Sequence, residues 1–565
     1  MRGSSAILGL CSYTHDSAAA LLVAGKLVGF AEEERLSGEK HTAAFPGRAV
    51  RWLLDRAGLD VGDLDVVAYN FDGARYFDAL PHTRHQQDRA KARVASFEKV
   101  HDRFLDRMDT LRQRFPHSRV APILHHRAHG LYAFASSPYE AAAVLIVDSL
   151  GEVQTTTVSD ARRLENGGCA YSIREDISDP ASLGYAYGAV TEHLGWRRGD
   201  EEGTVMALAA LGDPARFRAL FRTAIPLTDH GFRLDPAWFP LRVLTSGYTR
   251  VSHAFIAATC AARQPAEDPV QVHADLAAAL QERTEQVMLH LAQRARTVTG
   301  SRLLCVGGGV AANCVAIGKI VEAGLFDEVH VPPAPGDSGT AIGAALAATL
   351  DNGHPLPTDV VGRCYLGPDY GPLHLPEHPR PGLTASRPAS PGKHLAVKLA
   401  EGHTVGLFRG PLEAGPRALG NRSILASPMH TDVVHRLNAS VKHREPFRPF
   451  APVVLLDAAG GYFTLDQPSP FMSIASGVTN LARSQIPSIV HVNGTARVQT
   501  VTGESNPFLA AVLAEFAAIT GVPVLINTSL NVKGQPICGT PDMAMDCLIN
   551  SGLDALLLEG WWITK

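Results

Sequence analysis

The chain has 565 residues, 45% of them hydrophobic, and a net charge of −4. That length exceeds one ordinary core, so two or more domains are expected, and the mild charge excludes a protein held to nucleic acid or anionic membrane by bulk electrostatics. No apolar run approaches the roughly 18 residues of a membrane span. The eight cysteines are scattered, with no C-x-x-C pair, and read as reduced thiols; "MRGSSAILGL" enters a strand without a signal-peptide pattern, so a cytoplasmic protein is expected.

The opening stretch "AILGLCSYTHDSAAALLVAGKLVGFAEEER" predicts strand, polar elbow, strand, tight turn, strand. The pattern returns at "AAAVLIVDSLGEVQTTTVSDARRL", with Asp148-Ser-Leu-Gly as elbow. Two such units suggest a duplicated α/β domain; two unrelated hairpins are the alternative. Between them, Gln86–Arg114 is dense in Arg, Lys and Asp at helical spacing and predicts a solvated helix. Residues 272–296 predict a long amphipathic helix. It leads to "SRLLCVGGGVAANCVAIGKI" (strand, triple-glycine turn, helix) and "EVHVPPAPGDSGTAIGAALAATL" (strand, Pro/Gly loop, helix of small residues). From 351 to 392 proline is dense and periodicity is lost, as in a connecting segment with a short strand at "GRCYLGP". The expected domains are therefore 1–350, the connector 351–392, and a second α/β domain over 393–565.

On a helix, His125 and His129 of "ILHHRAHGLYAF" share one face and can reach one ion, although surface histidines at this spacing are common. Asp337, in "PPAPGDSGTAIGAA", and Asp148 are candidate carboxylate ligands, although an isolated Asp in such a loop is more often a helix cap. The glycines 307–309 and Asn313 of "VGGGVAAN" form a turn that lets a phosphate or ribose near the backbone, or simply a tight turn. In the C-terminal half Arg417, Arg422, Lys442, Arg444, Arg448 and Arg497 stand among few acids, chiefly Glu413 and Glu445. An anion is the better partner for so many cations.

Taken in order, the His15-Asp16-Ser17 elbow, His-x-x-x-His, the Asp148 elbow, "GGGVAAN" and "PGDSGTAIGAA" resemble the actin-like (ASKHA) fold of the universal tRNA threonylcarbamoyltransferases. That resemblance implies a metal on His125, His129 and Asp337, with Asp148 a plausible further ligand. K-x-R at Lys442–Arg444 and S-x-N at Ser529–Asn531 resemble YrdC-like domains. The two together look like the O-carbamoyltransferase family of Nod-factor, aminoglycoside, cephem and ansamycin carbamoyltransferases, over roughly 5–350 and 395–562. "EAGPRALGNRSILA", "KHREPFRPFAP" and "NTSLNVKGQPI" carry the match. Thr204 is a departure, standing where the family usually has Lys.

The resemblance implies that the C-terminal domain makes carbamoyl adenylate from carbamoyl phosphate and ATP, with Mg2+ accompanying the ATP. Lys442, Arg444, Arg417, Arg448 and Arg497 would neutralise phosphoryl charge, and Asn527, Ser529 and Asn531 would orient oxygens. In the N-terminal domain a divalent metal would hold the adenylate's phosphate; the donors alone leave Fe, Zn and Mn open, and the family favours iron(II). His15 is the expected base, oriented by Asp16, with Lys40 and glycines 307, 308 and 309 lining the site. The expected partner is a small-molecule alcohol, an antibiotic or other specialised metabolite, bound by loops within 75–115 and 180–250; no nucleic acid or membrane is expected. Rival readings are a fused tRNA threonylcarbamoyltransferase and an actin-like ATPase serving as an interaction module.

Overall fold

The computed structural model describes residues 5–13, 15–79, 87–245 and 247–565. The chain packs as two compact units, one of Met1–Thr14, Ala18–Phe30 and Val50–Arg363, the other of His15–Ser17, Ala31–Ala49 and Cys364–Lys565. Among the described residues no helix is long and apolar enough to cross a membrane.

The first unit repeats one design. Strands β1 (Ala6–Cys11), β2 (Ala18–Val23), β3 (Lys26–Glu32), β4 (Val66–Tyr69) and β5 (Arg119–Pro122) form a sheet ordered β3-β2-β1-β4-β5. Strands β6 (Ala141–Gly151), β7 (Gln154–Arg163) and β8 (Cys169–Ser178), then, past a short β9–β10 hairpin (Leu227–Thr228, Gly231–Phe232), β11 (Leu303–Gly307) and β12 (Glu328–His330), form β8-β7-β6-β11-β12. In both, β1 or β6 pairs antiparallel with the next strand and parallel with β4 or β11. This is the duplicated α/β arrangement expected from the paired elbows. The small-residue helix Thr340–Asp351 lies against β1 and against helix His125–Ala135. Glycines make that approach: a Cβ on Gly343 would stand 1.9 Å from the Ala128 carbonyl oxygen, and one on Gly9 2.0 Å from that of Ala341.

Two expectations need correction. Helix Gln87–Arg114 is not solvated all round, because Phe97, Phe104, Met108 and Leu111 form a buried stripe that the charged residues between them obscure. The second elbow turns at Glu152-Val153, not at Asp148; β6 runs on to Gly151, with an irregularity after Val147 that breaks its pairing with β7. Such a bulge re-aims side chains, and Asp148 is one of them.

The second unit is a further α/β domain, as expected for residues 393–565. Its sheet is mixed, built from β13 (Thr384–Ser386), β14 (Val405–Phe408), β15 (Arg422–Ala426), β16 (Ala451–Leu455), β17 (Ile474–Gly477), β18 (Thr495–Val501), β19 (Val524–Ser529), β20 (Ala555–Leu558) and β21 (Trp561–Thr564). They lie in the order β13-β21-β20-β14-β15-β19-β16-β18-β17. Helices Pro391–Ala400, Pro507–Thr520 and Pro541–Ile549 bury their apolar faces in its core. Within 351–392 the structure forms a single-turn helix Thr358–Val360 and strand β13, and Tyr365 of "GRCYLGP" makes only an isolated bridge to Glu413.

Candidate functional site

The first-unit centre is built by three elements. Helix His125–Ala135 presents His125 and His129 on one face, the β6 bulge presents Asp148, and the turn before helix Thr340–Asp351 presents Asp337. Their four ligand atoms lie within 4.8 Å of one another. His125 Nε2 is 3.1 Å from His129 Nε2, 3.2 Å from an Asp148 oxygen and 3.5 Å from an Asp337 oxygen. His129 Nε2 is 3.9 and 3.7 Å from the same two carboxylates. All four residues are buried. Burial opposes charge on His125, yet Asp337 and Asp148 together draw its pKa well above the ordinary imidazole value. A pocket that draws positive charge between two imidazoles and two carboxylates fits a divalent transition metal.

What surrounds these donors aims them. His125 Nδ1–H donates to the Asn70 carbonyl at 3.2 Å, which leaves Nε2 turned to the other three donors. The Phe71 ring stacks on the imidazole at 4.2 Å. Gly309 N–H donates to Asp148 at 3.1 Å. Gly308, with φ 86, has no room for a Cβ, which would lie 2.4 Å from the Val147 carbonyl oxygen. Gly307 ends β11 and packs on Ile146. The triple-glycine turn is thus pressed against β6 beside Asp148. Asn313 points elsewhere: it caps helix Cys314–Glu322 and exchanges two amide hydrogen bonds with Gln281. Thr204 is fully buried, and its hydroxyl has no hydrogen-bond partner among the described residues.

The first elbow packs with the second unit. The Asp16 carboxylate accepts from His15 Nδ1–H at 2.9 Å and from His41 Nδ1–H at 2.5 Å. Burial pushes the carboxyl up, but the two imidazoles hold it well below the usual range. Asp16 and His41 both sit in the left-handed region, with φ 55 and 54, a conformation that non-glycine residues keep mainly where a site demands it. His41 N–H donates to Glu34, and Lys40 lies in the turn just before it. The His15 side chain is half exposed. His41 and Glu34 escaped the sequence reading; the "EKH" that follows "EEER" is their only trace.

In the second unit Lys442 ends a wide helical turn, Leu437–Lys442, and is buried. Its ammonium meets the Ser529 carbonyl, Ser529 Oγ at 3.1 Å, the Asn531 carbonyl at 3.1 Å and Asn531 Oδ1 at 2.8 Å. Burial, aided by Arg444 and Arg448, brings its pKa down to about 7. Burial, Arg448 and Arg497 likewise depress Arg444, which donates to Asn438 at 2.8 Å and lies over the Phe450 ring. Glu445 is shared between Arg448 at 3.8 Å and Lys533 at 3.0 Å. Arg497 lies on β18, and its buried Nε–H has no hydrogen-bond partner among the described residues. Arg417 is half-buried in the turn before β15.

Two neighbours have other duties. Arg422, counted above among the free cations, is fully buried, spends its guanidinium on the carbonyls of Arg409, Asn421 and Pro368, and stacks on Phe408. Asn527 turns its amide inward, to Ala418 and to Gln499, and so supports the Ala418–Leu419 turn. Glu413 accepts the backbone N–H groups of Leu419, Asn421 and Arg422. It shapes the "EAGPRALGNR" loop rather than neutralising its arginines.

With this geometry in place, comparison with known proteins is direct. Family profiles described as Carbamoyltransferase N-terminus and Carbamoyltransferase C-terminus match residues 6–346 and 396–565. The chain is 35% identical to the uncharacterised protein sll1178 of Synechocystis, over 99% of this chain and 96% of that one. It is 32% identical to nodulation protein NolNO of Sinorhizobium fredii, over 98% and 79%, and 34% identical to nodulation protein NolO of Bradyrhizobium diazoefficiens, over 78% of each. A two-part match across almost the whole chain, falling on the histidine–aspartate centre in one part and the lysine–arginine cradle in the other, makes this protein a member of the carbamoyltransferase family.

Proposed function

We propose that the enzyme carries the carbamoyl group of carbamoyl phosphate, through carbamoyl adenylate, to a hydroxyl of a small specialised metabolite such as an antibiotic. The observation that supports this most is the cationic cradle: Arg444 and Arg448 press on the buried Lys442, Arg448 and Arg497 press on the buried Arg444, and the carboxylate beside them, Glu445, is divided between Arg448 and Lys533. A phosphorylated substrate supplies the missing negative charge.

In this reading water opens carbamoyl phosphate to carbamate and phosphate. A carbamate oxygen then attacks the α-phosphorus of ATP, and pyrophosphate leaves with its Mg2+. Lys442 and the arginines neutralise the charge that builds on the transferring phosphoryl oxygens. Ser529 and Asn531 hold the ammonium in place. The acceptor hydroxyl then attacks the carbonyl carbon of the adenylate, forming the O-carbamoyl ester and releasing AMP. His15 Nε2 takes the hydroxyl proton while Asp16 fixes its tautomer through Nδ1. His125, His129, Asp148 and Asp337 would hold the metal, which we assign as iron(II); when bound, it supplies Lewis-acid stabilisation of phosphate charge. The eight cysteines are all free thiols, in keeping with a reducing cytoplasm.

The test follows pyrophosphate. Release from ATP should depend on carbamoyl phosphate, and Lys442→Ala should abolish it. His15→Asn should retain that release yet stop AMP release and transfer to alcohols. Pyrophosphate release indifferent to carbamoyl phosphate removes the adenylation step; full transfer by His15→Asn removes the base.

A further inference from the structure

Beside the four donors lies a further buried carboxylate that is not one of the clustered ligand groups. Glu152 occupies the two-residue turn between β6 and β7. One of its oxygens accepts both the backbone N–H of His125, at 3.1 Å, and that of Asp72, at 2.9 Å. We propose that Glu152 is the positioning residue that holds His125 for metal binding, an inference that rests on the metal reading above.

Two segments fix the His125 ring. One is the first turn of its own helix; the other is the loop Asn70–Asp72, which supplies the carbonyl for Nδ1–H and the phenyl ring stacked on the imidazole. Glu152 ties both segments to one carboxylate. The turn also stands in contact with the helix, since a Cβ on Gly151 would come within 2.9 Å of His125 Cβ and 2.6 Å of His126 Cδ2. The choice of residue is itself telling. Glu152 has φ 44 at the first position of a two-residue hairpin, where glycine is the unstrained choice. A strained, buried glutamate kept there is explained by the two N–H groups it receives.

The readout is metal affinity of the full-length apoprotein, followed by the visible absorption of Co2+ as it is titrated in. Glu152→Gly relieves the backbone strain and removes the clamp; Glu152→Gln keeps one accepting oxygen. With folding checked by circular dichroism, Glu152→Gly and Glu152→Ala should weaken Co2+ by about 10–100-fold, the usual range for lost ligand-orienting contacts, and Glu152→Gln by less. Glycine and alanine variants that bind Co2+ within about twofold of wild type would overturn the proposal. His125→Ala is the control: wild-type binding that this variant leaves unchanged, or no wild-type binding at all, removes the metal reading and this inference with it.

Discussion

Lys442 has three N–H bonds and four oxygen acceptors around them, with two arginines near enough to depress its charge. Its pKa of about 7 in the fold lies below the ordinary 10.5. The folded protein therefore releases this proton as pH rises through about 7, while the unfolded chain keeps it to 10.5. Between those values the unfolded state binds more protons, so this group makes the ligand-free protein more stable as pH rises, and a bound anion reverses the preference. Sulfate, whose charge is constant over this range, is the clean probe. Its affinity should fall as pH rises above about 7, approaching tenfold per pH unit, with proton uptake on binding. Lys442→Met should bind sulfate weakly and without that slope. A wild-type affinity that is flat from about pH 6 to 9 would show that the lysine stays charged throughout.

At the scale of elements, the cluster of His125, His129, Asp148 and Asp337 depends on how closely helix Thr340–Asp351 approaches helix His125–Ala135. Gly343→Val places carbon atoms where the Ala128 carbonyl stands. Overpacking of this kind costs about 1–3 kcal/mol or more, and the displaced helix carries Asp337 at its start. A lower unfolding temperature together with weaker Co2+ binding is expected; lost stability with full Co2+ affinity would mean that Asp337 is held by its own turn instead. The small-residue composition of this helix was readable in "GTAIGAALAATL", as were the strand–turn–helix around the glycines and the hairpin after His15. The buried side of Gln87–Arg114 was not, because four apolar residues among many charges read as a solvated surface until their 7-4-3 spacing is followed. The β6 bulge was also invisible: an irregularity in pairing depends on the partner strand, and nothing local in "VDSLGEV" announces it.

Across the whole molecule, ligand atoms that meet in space come from distant stretches, and sequence order says little about such meetings. His125, His129 and Asp337 were legible because family-like motifs carry them. His41, Glu34 and Glu152 were not, since each acts through a backbone N–H or a shared carboxylate that no motif encodes. The division of labour gives a test on the intact chain. All four candidate metal donors belong to the first unit, and Lys442, Arg444, Arg448 and Arg497 to the second. A ligand stabilises the unit that binds it, by about 2.7 kcal/mol at a hundredfold excess over Kd. In scanning calorimetry, Co2+ and sulfate should each raise unfolding temperature, Asp337→Asn should cancel the Co2+ shift and spare the sulfate shift, and Lys442→Met should do the reverse. If Asp337→Asn also erased the sulfate shift, the two cradles would not be independent binding sites, and the assignment of metal to one unit and phosphoryl charge to the other would fail.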